Sequence, residues 1–384
     1  MWLRFYFYIL AIDYFWTIML KIILFPLSIL FGIVVYFRNR FYDFNIIKSV
    51  EFDLPVISVG NITVGGTGKT PHTEYLVGLL KDTFKVATLS RGYKRKSKGF
   101  KIVEANSTAI EVGDEPLQIK RKFSDITVSV CNSRVEGVTN LINEKPENIP
   151  DVVLLDDAYQ HRRITPGLNI LLIDFNRPIK EDTLLPAGRL REGPAQIRRA
   201  NIIIITKCPA EVTPIMERIM QKNVGLKPYQ SIYFTTMVYN PIKPVFQIAN
   251  PIQLKENDAS IFILLVTGIA STIGINNEIG KYSSNIEKLE FGDHHIYTSE
   301  DIEAIKNKFN KIHSEKKIII TTEKDSMRLK DMEGISDELK KAFYFLPVKI
   351  KFLGKQGTLF NQKITNYVRE NKSNSELYKR KNQH

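Results

Sequence analysis

The sequence predicts an α/β protein with a mainly parallel sheet, a second and smaller α/β domain, and an N-terminal membrane-associated helical segment. Three observations predict it. From Leu54 onward, short apolar runs alternate with segments of helical spacing, as strand–crossover–strand units require. An early run leads into a Gly-rich loop and then a helix, the context of a phosphate-binding loop. Ahead of both, residues 1–45 are apolar and aromatic and stand apart from the rest.

Composition bounds the reading. The chain has 384 residues, enough for two or three domains, and 43% of them are hydrophobic, enough for a large core. A net charge of +13 calls for an anionic partner: nucleic acid, phospholipid headgroups or a phosphorylated substrate. Cys131 and Cys208 lie in strand-like runs and read as buried free thiols of a reducing compartment. No zinc-ligand spacing occurs.

The first element is the anchor. Residues 5–12 and 22–37 are two apolar runs, the second broken only by Pro26, Ser28 and Gly32 and bounded by Lys21 and Arg38-Asn39-Arg40. The second run is shorter than the roughly 20 residues that span a bilayer. Tyr6, Tyr8, Tyr14, Trp16 and Tyr36 suit a headgroup interface. The segment therefore reads as lying in one leaflet rather than crossing. A pair of buried core helices is the alternative.

Strands follow at 56–59, 85–89, 126–131, 152–155, 169–173 and 201–206, with helices at 70–80, 114–123 and 134–143. Parallel sheets bind ligands at the carboxyl ends of their strands. The first strand leads into Thr63-Val64-Gly65-Gly66-Thr67-Gly68-Lys69-Thr70. Its glycines let the backbone curl so that N–H groups face phosphate oxygens, and the helix N-terminus adds partial positive charge. Lys69 suits the β- and γ-phosphates, and the Thr70 hydroxyl suits Mg²⁺. Thr63 stands where Gly is usual. The sheet is thus P-loop NTPase-like, with a nucleoside triphosphate and Mg²⁺ expected at this loop.

Later strand ends add candidates. The loop Ser90-Arg91-Gly92-Tyr93-Lys94-Arg95-Lys96 is basic, either an anion site or a solvated face. Gly113-Asp114-Glu115-Pro116 opens a helix, where Asp114 favours the helix N-terminus or acts as a base. Asn132-Ser133-Arg134 ends a strand. The strand at 152–155 runs into Asp156-Asp157, as a Walker B strand does to hold Mg²⁺; helix capping is the alternative. Gln160 and His161 follow, and then the loop Leu185-Pro186-Ala187-Gly188-Arg189-Leu190-Arg191-Glu192.

A second domain starts near Tyr229. Extended segments at 230–239 and 342–352 read as a two-stranded connector out of the first domain and back. Between them lie strands at 261–266, 286–291 and 317–322. Asp293-His294-His295 ends the middle one, and Glu323-Lys324-Asp325 follows the last. Residues 369–384 are basic and polar and read as disordered. The division is 1–45 for the anchor, 46–228 for the phosphate-loop domain, 229–352 for the second domain, and 353–384 for a C-terminal helix and basic tail.

In this order, these motifs resemble the tetraacyldisaccharide 4'-kinases, which phosphorylate a lipid A precursor. The resemblance rests on Pro26-Leu27-Ser28, Arg38-Asn39, Ser58-Val59-Gly60-Asn61 and the phosphate loop. It continues through Ser90-Arg91-Gly92-Tyr93, Gly113-Asp114-Glu115-Pro116 and Asp156-Asp157-Ala158-Tyr159-Gln160-His161-Arg162-Arg163. It ends with Leu185-Pro186-Ala187-Gly188, Asp293-His294 and Thr322-Glu323-Lys324-Asp325. It implies ATP as donor and a disaccharide 1-phosphate with four acyl chains as acceptor. It implies the cytoplasmic face of a Gram-negative inner membrane, contact with anionic headgroups, and no nucleic acid. By resemblance, Lys69 and the loop hold the phosphates, and Thr70 and Asp157 hold Mg²⁺ with Asp156 and Glu192 as near neighbours. Asp114 corresponds to the catalytic base and His294 to its partner. Arg134, Arg191 and Arg91, with Gln160 and His161, face the acceptor. On this reading, deleting residues 1–45 impairs use of the lipid and leaves ATP binding nearly unchanged. The rival reading is a membrane-associated P-loop NTPase acting as a targeting or switch factor. It needs a guanine-reading Asn-Lys-x-Asp, which neither 206–209 nor 322–325 supplies.

Overall fold

The computed structural model describes the backbone of residues 2–381 and the side chains of residues 19–371. Helix α1 (Trp2–Asp43) runs unbroken through Pro26 for 42 residues, where the sequence suggests two separate runs. Proline removes one backbone hydrogen bond. The turn beyond it is held from outside, since Ser28 Oγ accepts from the Ala187 N–H at 2.9 Å. The stretch Met19–Asp43 is thereby long and apolar enough to cross a membrane. Only 11% of its most apolar window is buried, so it is not a core helix. Tyr6, Tyr8, Tyr14 and Trp16 lie outside the described side chains.

Next come β1 (Val56–Gly60), α2 (Lys69–Leu80), β2 (Val86–Ser90), β3 (Lys101–Ile102) and α3 (Ala109–Val112). They are followed by α4 (Asp114–Lys122), β4 (Thr127–Val130), α5 (Arg134–Ile142), β5 (Val152–Asp156) and β6 (Leu168–Asp174). Then come β7 (Ile202–Thr206), α6 (Pro214–Val224), β8 (Ser231–Tyr239), β9 (Lys243–Pro244) and β10 (Phe262–Thr267). The remainder is α7 (Ile273–Ile279), β11 (Ile286–Glu290), α8 (Ser299–Asn310), β12 (Lys317–Thr322), α9 (Glu323–Leu329), α10 (Asp337–Ala342), β13 (Phe343–Leu346), β14 (Val348–Phe352) and α11 (Gln356–Lys381).

A nine-stranded sheet has the order β14-β8-β7-β6-β1-β5-β2-β4-β3. From β8 to β4 every pairing is parallel, and the two edges, β14 and β3, are antiparallel. The inner strands are continuous apolar runs such as Val-Val-Leu-Leu in β5, as burial on both faces demands. A five-stranded sheet, β11-β10-β12-β13-β9, carries its own cores. The segments proposed as a connector do meet, Tyr239 against Val348 through Thr235 against Phe352. They are more than a connector, because β8 also pairs with β7 and both strands extend the large sheet. The 342–352 run divides: β13 joins the small sheet and β14 the large one, with Pro347 between them. Phe360, Ile364 and Val368 of α11 enter the core beside Ile57 and Leu76. That docking carries the helix past residue 369, where disorder is predicted.

Candidate active site

Burial on both faces places β1, β5 and β2 side by side, so their carboxyl ends open onto one crevice. At the end of β1, Gly65 (φ +99°) and Gly68 (φ +86°) take the left-handed backbone that turns the loop. A Cβ on Gly68 would lie 2.8 Å from Met237 Cε. Asn61 Nδ2 donates to Thr67 Oγ1 at 2.8 Å and pins the loop from inside. Lys69 opens α2, and Thr70 beside it is buried. His72, one turn on, touches the Gly68 carbonyl at 2.7 Å and Thr235 Oγ1 at 3.1 Å. Burial pushes its pKa down to about 4, against the pull of that carbonyl.

At the end of β5, Asp156 is buried and accepts from Thr73 Oγ1 at 3.1 Å. Burial pushes its carboxyl up to about 7; the charges of Glu115 and Asp157 add to this, and Lys69 opposes. Asp157 sits 3.5 Å from Lys69 Nζ and 3.2 Å from Arg191. Burial works to raise its pKa, but Lys69 and then Arg191 hold it below the ordinary carboxylate value. Opposite environments thus divide two adjacent carboxylates.

Asp114 opens α4 and is 4% exposed. His294 reaches it from the small sheet, with Nδ1 3.4 Å from Asp114 Oδ2. Arg328 of α9 pairs with the same oxygen, and Lys324 Nζ lies 3.8 Å away. Lys324 Nζ is also 2.9 Å from His294 Nε2. An ammonium only donates, so Nε2 accepts from Lys324, while Nδ1 faces Asp114 and also lies 3.4 Å from Arg328 Nη2. The ring of Tyr93 stands edge-on to His294 at 4.7 Å. Sequence reasoning singled out neither Arg328 nor a role for Lys324 here. Their mutual spacing of one helical turn, just after Thr322-Glu323, was the available signal.

The remaining candidates divide. Residues 184–192 form a strap laid along the phosphate loop: the Val64 N–H donates to Arg189 O and the Arg191 N–H to Ile62 O, both at 2.8 Å. This brings Arg191 to Asp157 and within 3.5 Å of Gln160 Oε1, while Gln160 Nε2 donates to Asn61 O at 2.6 Å. His161 is half-buried, and burial first and Arg134 second push its pKa down to about 4. Arg91 is exposed on its loop. Two further candidates are held within the protein. Glu192 is 0% exposed, with Oε1 taken by Arg38 and Asn39 and Oε2 by Arg199. Arg134 is 2% exposed and donates to Cys131 O at 2.8 Å and Asp156 O at 3.2 Å. Cys131 and Cys208 are buried free thiols.

Comparison with known proteins bears on this geometry. Residues 20–369 match the family described as Tetraacyldisaccharide-1-P 4'-kinase. A Tetraacyldisaccharide 4'-kinase of Phocaeicola vulgatus is 50% identical over 352 residues, which are 92% of this chain and 96% of that one. The protein of the same name in Bacteroides thetaiotaomicron is 47% identical over 368 residues, covering 94% and 97%. The crystal structure of LpxK from Aquifex aeolicus in complex with ATP superposes with a TM-score of 0.67 at 29% identity, covering 91% of this chain and 99% of that one.

Proposed function

The chain belongs to the tetraacyldisaccharide-1-phosphate 4'-kinase family, and on that footing we propose that it transfers the γ-phosphate of ATP to the 4'-hydroxyl of a tetraacyldisaccharide 1-phosphate. The observation that carries this reading is the meeting of Asp114 with His294 beside a phosphate loop. A base held by its partner across two sheets suits an alcohol acceptor, and a nucleotide switch has no use for it.

The residues present fit Mg²⁺. Among the described residues no three His, Cys, Asp or Glu side chains gather into one cluster. Mg²⁺ needs none, because one or two carboxylates and substrate phosphates complete its shell. Asp156 and Asp157 are such a pair, and burial leaves Asp156 short of compensating charge. Asp157 and Thr70 would hold the ion, with Asp156 behind them. Held there, Mg²⁺ would supply neutralisation of the charge that grows in transfer.

The chain's own groups do the rest. Lys69 and the loop N–H groups cradle the β- and γ-phosphates. Arg191 steadies Asp157 from the strap. Asp114 takes the proton of the 4'-hydroxyl as that oxygen attacks phosphorus, and ADP leaves. The His294 N–H fixes the orientation of the Asp114 carboxylate. The helix α1 lays its apolar faces in the membrane at the cytoplasmic side, which brings the acyl chains of the acceptor to the crevice.

The test is transfer from ATP to a tetraacyldisaccharide 1-phosphate in detergent micelles, with product followed by mass. Lys69→Ala should lower kcat by at least about 10²-fold, the ordinary cost of losing a preorganised cationic contact. Near-normal transfer by that variant, or ATP turnover indifferent to the lipid, defeats the reading; the latter outcome favours a switch factor.

A further inference from the structure

The clamp on Glu192 ties the N-terminal helix to the nucleotide site. One stripe of α1 faces the body of the protein: Ser28, Gly32, Val35, Asn39 and Asp43, at helical spacings of three and four. A Cβ on Gly32 would lie 2.8 Å from Leu184 Cδ1, so helix and strap are in direct contact. Ser28 Oγ accepts from Ala187 at the start of the strap. At its end, Glu192 Oε1 accepts from Arg38 Nη2 at 2.6 Å and from Asn39 Nδ2 at 3.2 Å. Asn39 is 2% exposed. The next residue back along the strap is Arg191, whose guanidinium holds Asp157 and whose N–H is bonded to Ile62 at the mouth of the phosphate loop. A second tie runs parallel to the first. Arg162, which follows the paired carboxylates, donates to the Asn39 carbonyl at 2.8 Å and pairs with Asp43 at 2.9 Å. The helix therefore grips both segments that flank Lys69 and Asp157.

We propose that α1 is a part of the nucleotide site as well as an anchor, and that Asn39 and Arg38, acting through Glu192, are positioning residues for ATP. The inference rests on the reading of the phosphate loop given above. It reverses the expectation that removing the anchor spares ATP. A buried carboxylate that loses one of its donors is left with an unsatisfied acceptor, so the strap that carries it shifts. Arg191 and the loop mouth shift with it.

The experiment measures binding of a fluorescent ATP analogue with Mg²⁺ to the full chain in detergent micelles. The variant is Asn39→Leu, of similar size and apolar, so α1 keeps its affinity for lipid. The dissociation constant for the analogue should rise at least about fivefold, the lower end of ordinary coupling between sites. KM for the lipid acceptor and partition into phosphatidylethanolamine–phosphatidylglycerol vesicles should stay within about twofold of wild type, since neither touches the clamp. Arg38→Gln, at a side chain 39% exposed, should act in the same direction more weakly and decides the matter if Asn39→Leu does not fold. Unchanged nucleotide affinity in the folded variant overturns the proposal. So does an equal rise in the dissociation constant and in the lipid KM with a lower Tm, which marks general loosening. Wild type that binds no analogue, or Lys69→Ala that binds it normally, removes the phosphate-loop reading itself.

Discussion

Asp114 carries more positive neighbours than its motif suggests. Burial works to raise its pKa, but the His294 hydrogen bond and then the Lys324 and Arg328 charges hold it well below the ordinary carboxylate value. A depressed carboxylate stabilises the fold above its unfolded pKa of about 3.9 and loses that contribution only as pH falls through the lower folded value. It also stays ionised, as a base must, throughout the working range. Asp114→Asn should lower kcat by about 10²- to 10⁴-fold with ATP affinity close to normal. His294→Ala should cost less, and the double variant should be little worse than Asp114→Asn alone. Arg328→Met should raise the Asp114 pKa by about one unit, read by NMR titration of the carboxyl, since a neighbouring cation shifts an Asp by roughly that much or more. Additive losses with an unmoved titration would break up the unit. The placement of Lys69, Asp157, Asp114 and His294 was legible in the sequence because each opens a helix or follows a strand, in a residue type with few other uses there. The clamp on Glu192 was hidden, because Arg38 and Asn39 lie far away in the sequence. Arg38 and Asn39 looked like the polar border of a membrane segment.

At the scale of elements, α2, α4 and α9 meet at Glu74. Its carboxylate accepts from Gln118 at 2.7 Å and from Lys122 at 2.6 Å, and Lys122 also reaches Glu323 at 3.2 Å. Burial pushes Glu74 up to about 7; Lys122 pulls against this, and Glu323 adds to it. A carboxyl with a raised folded pKa contributes stability below its unfolded value, and that contribution is lost as pH rises through about 7. Glu74→Gln carries no such titration. Between pH 5 and pH 8, the Tm of the variant should therefore climb relative to wild type; a constant difference would show Glu74 ionised throughout. The inner strands of the large sheet could be read from their unbroken apolar runs, and α2, α4 and α5 from their spacing. Three things were hidden. Two-residue β3 has too little length to show a period. One extended run feeds two sheets with only Pro347 as a mark between them. The length of α1 was obscured by Pro26, because its compensation comes from Ala187 in another part of the chain.

The whole molecule brings a base and its partner together from two sheets, so their meeting depends on contacts remote from the chemistry. Arg121 of α4 pairs with Asp331 behind α9 at 2.9 Å, and Asp331 also accepts from the Ala109 N–H at 3.2 Å. Asp331→Ala should leave ATP affinity intact and lower transfer by about 3- to 10-fold, since small misplacements at a reacting centre are expensive. It should also raise the share of ATP hydrolysed without acceptor, because a looser crevice admits water. Measuring ADP release with and without lipid checks this; an unchanged ratio would place closure elsewhere.

The route of the chain has a consequence for its birth on the ribosome. The phosphate-binding helix α2 is backed by β14 and α11: Tyr75 lies against Phe352 and Phe360, and its hydroxyl donates to Asn361 at 2.9 Å. Those residues are translated last, after the whole small sheet. The helix α1 is translated first. A nascent chain therefore exposes its apolar end while the layer behind α2 is still bare. With α1 as the anchor proposed above, delivery comes before competence, and the enzyme gains its grip on nucleotide already moored.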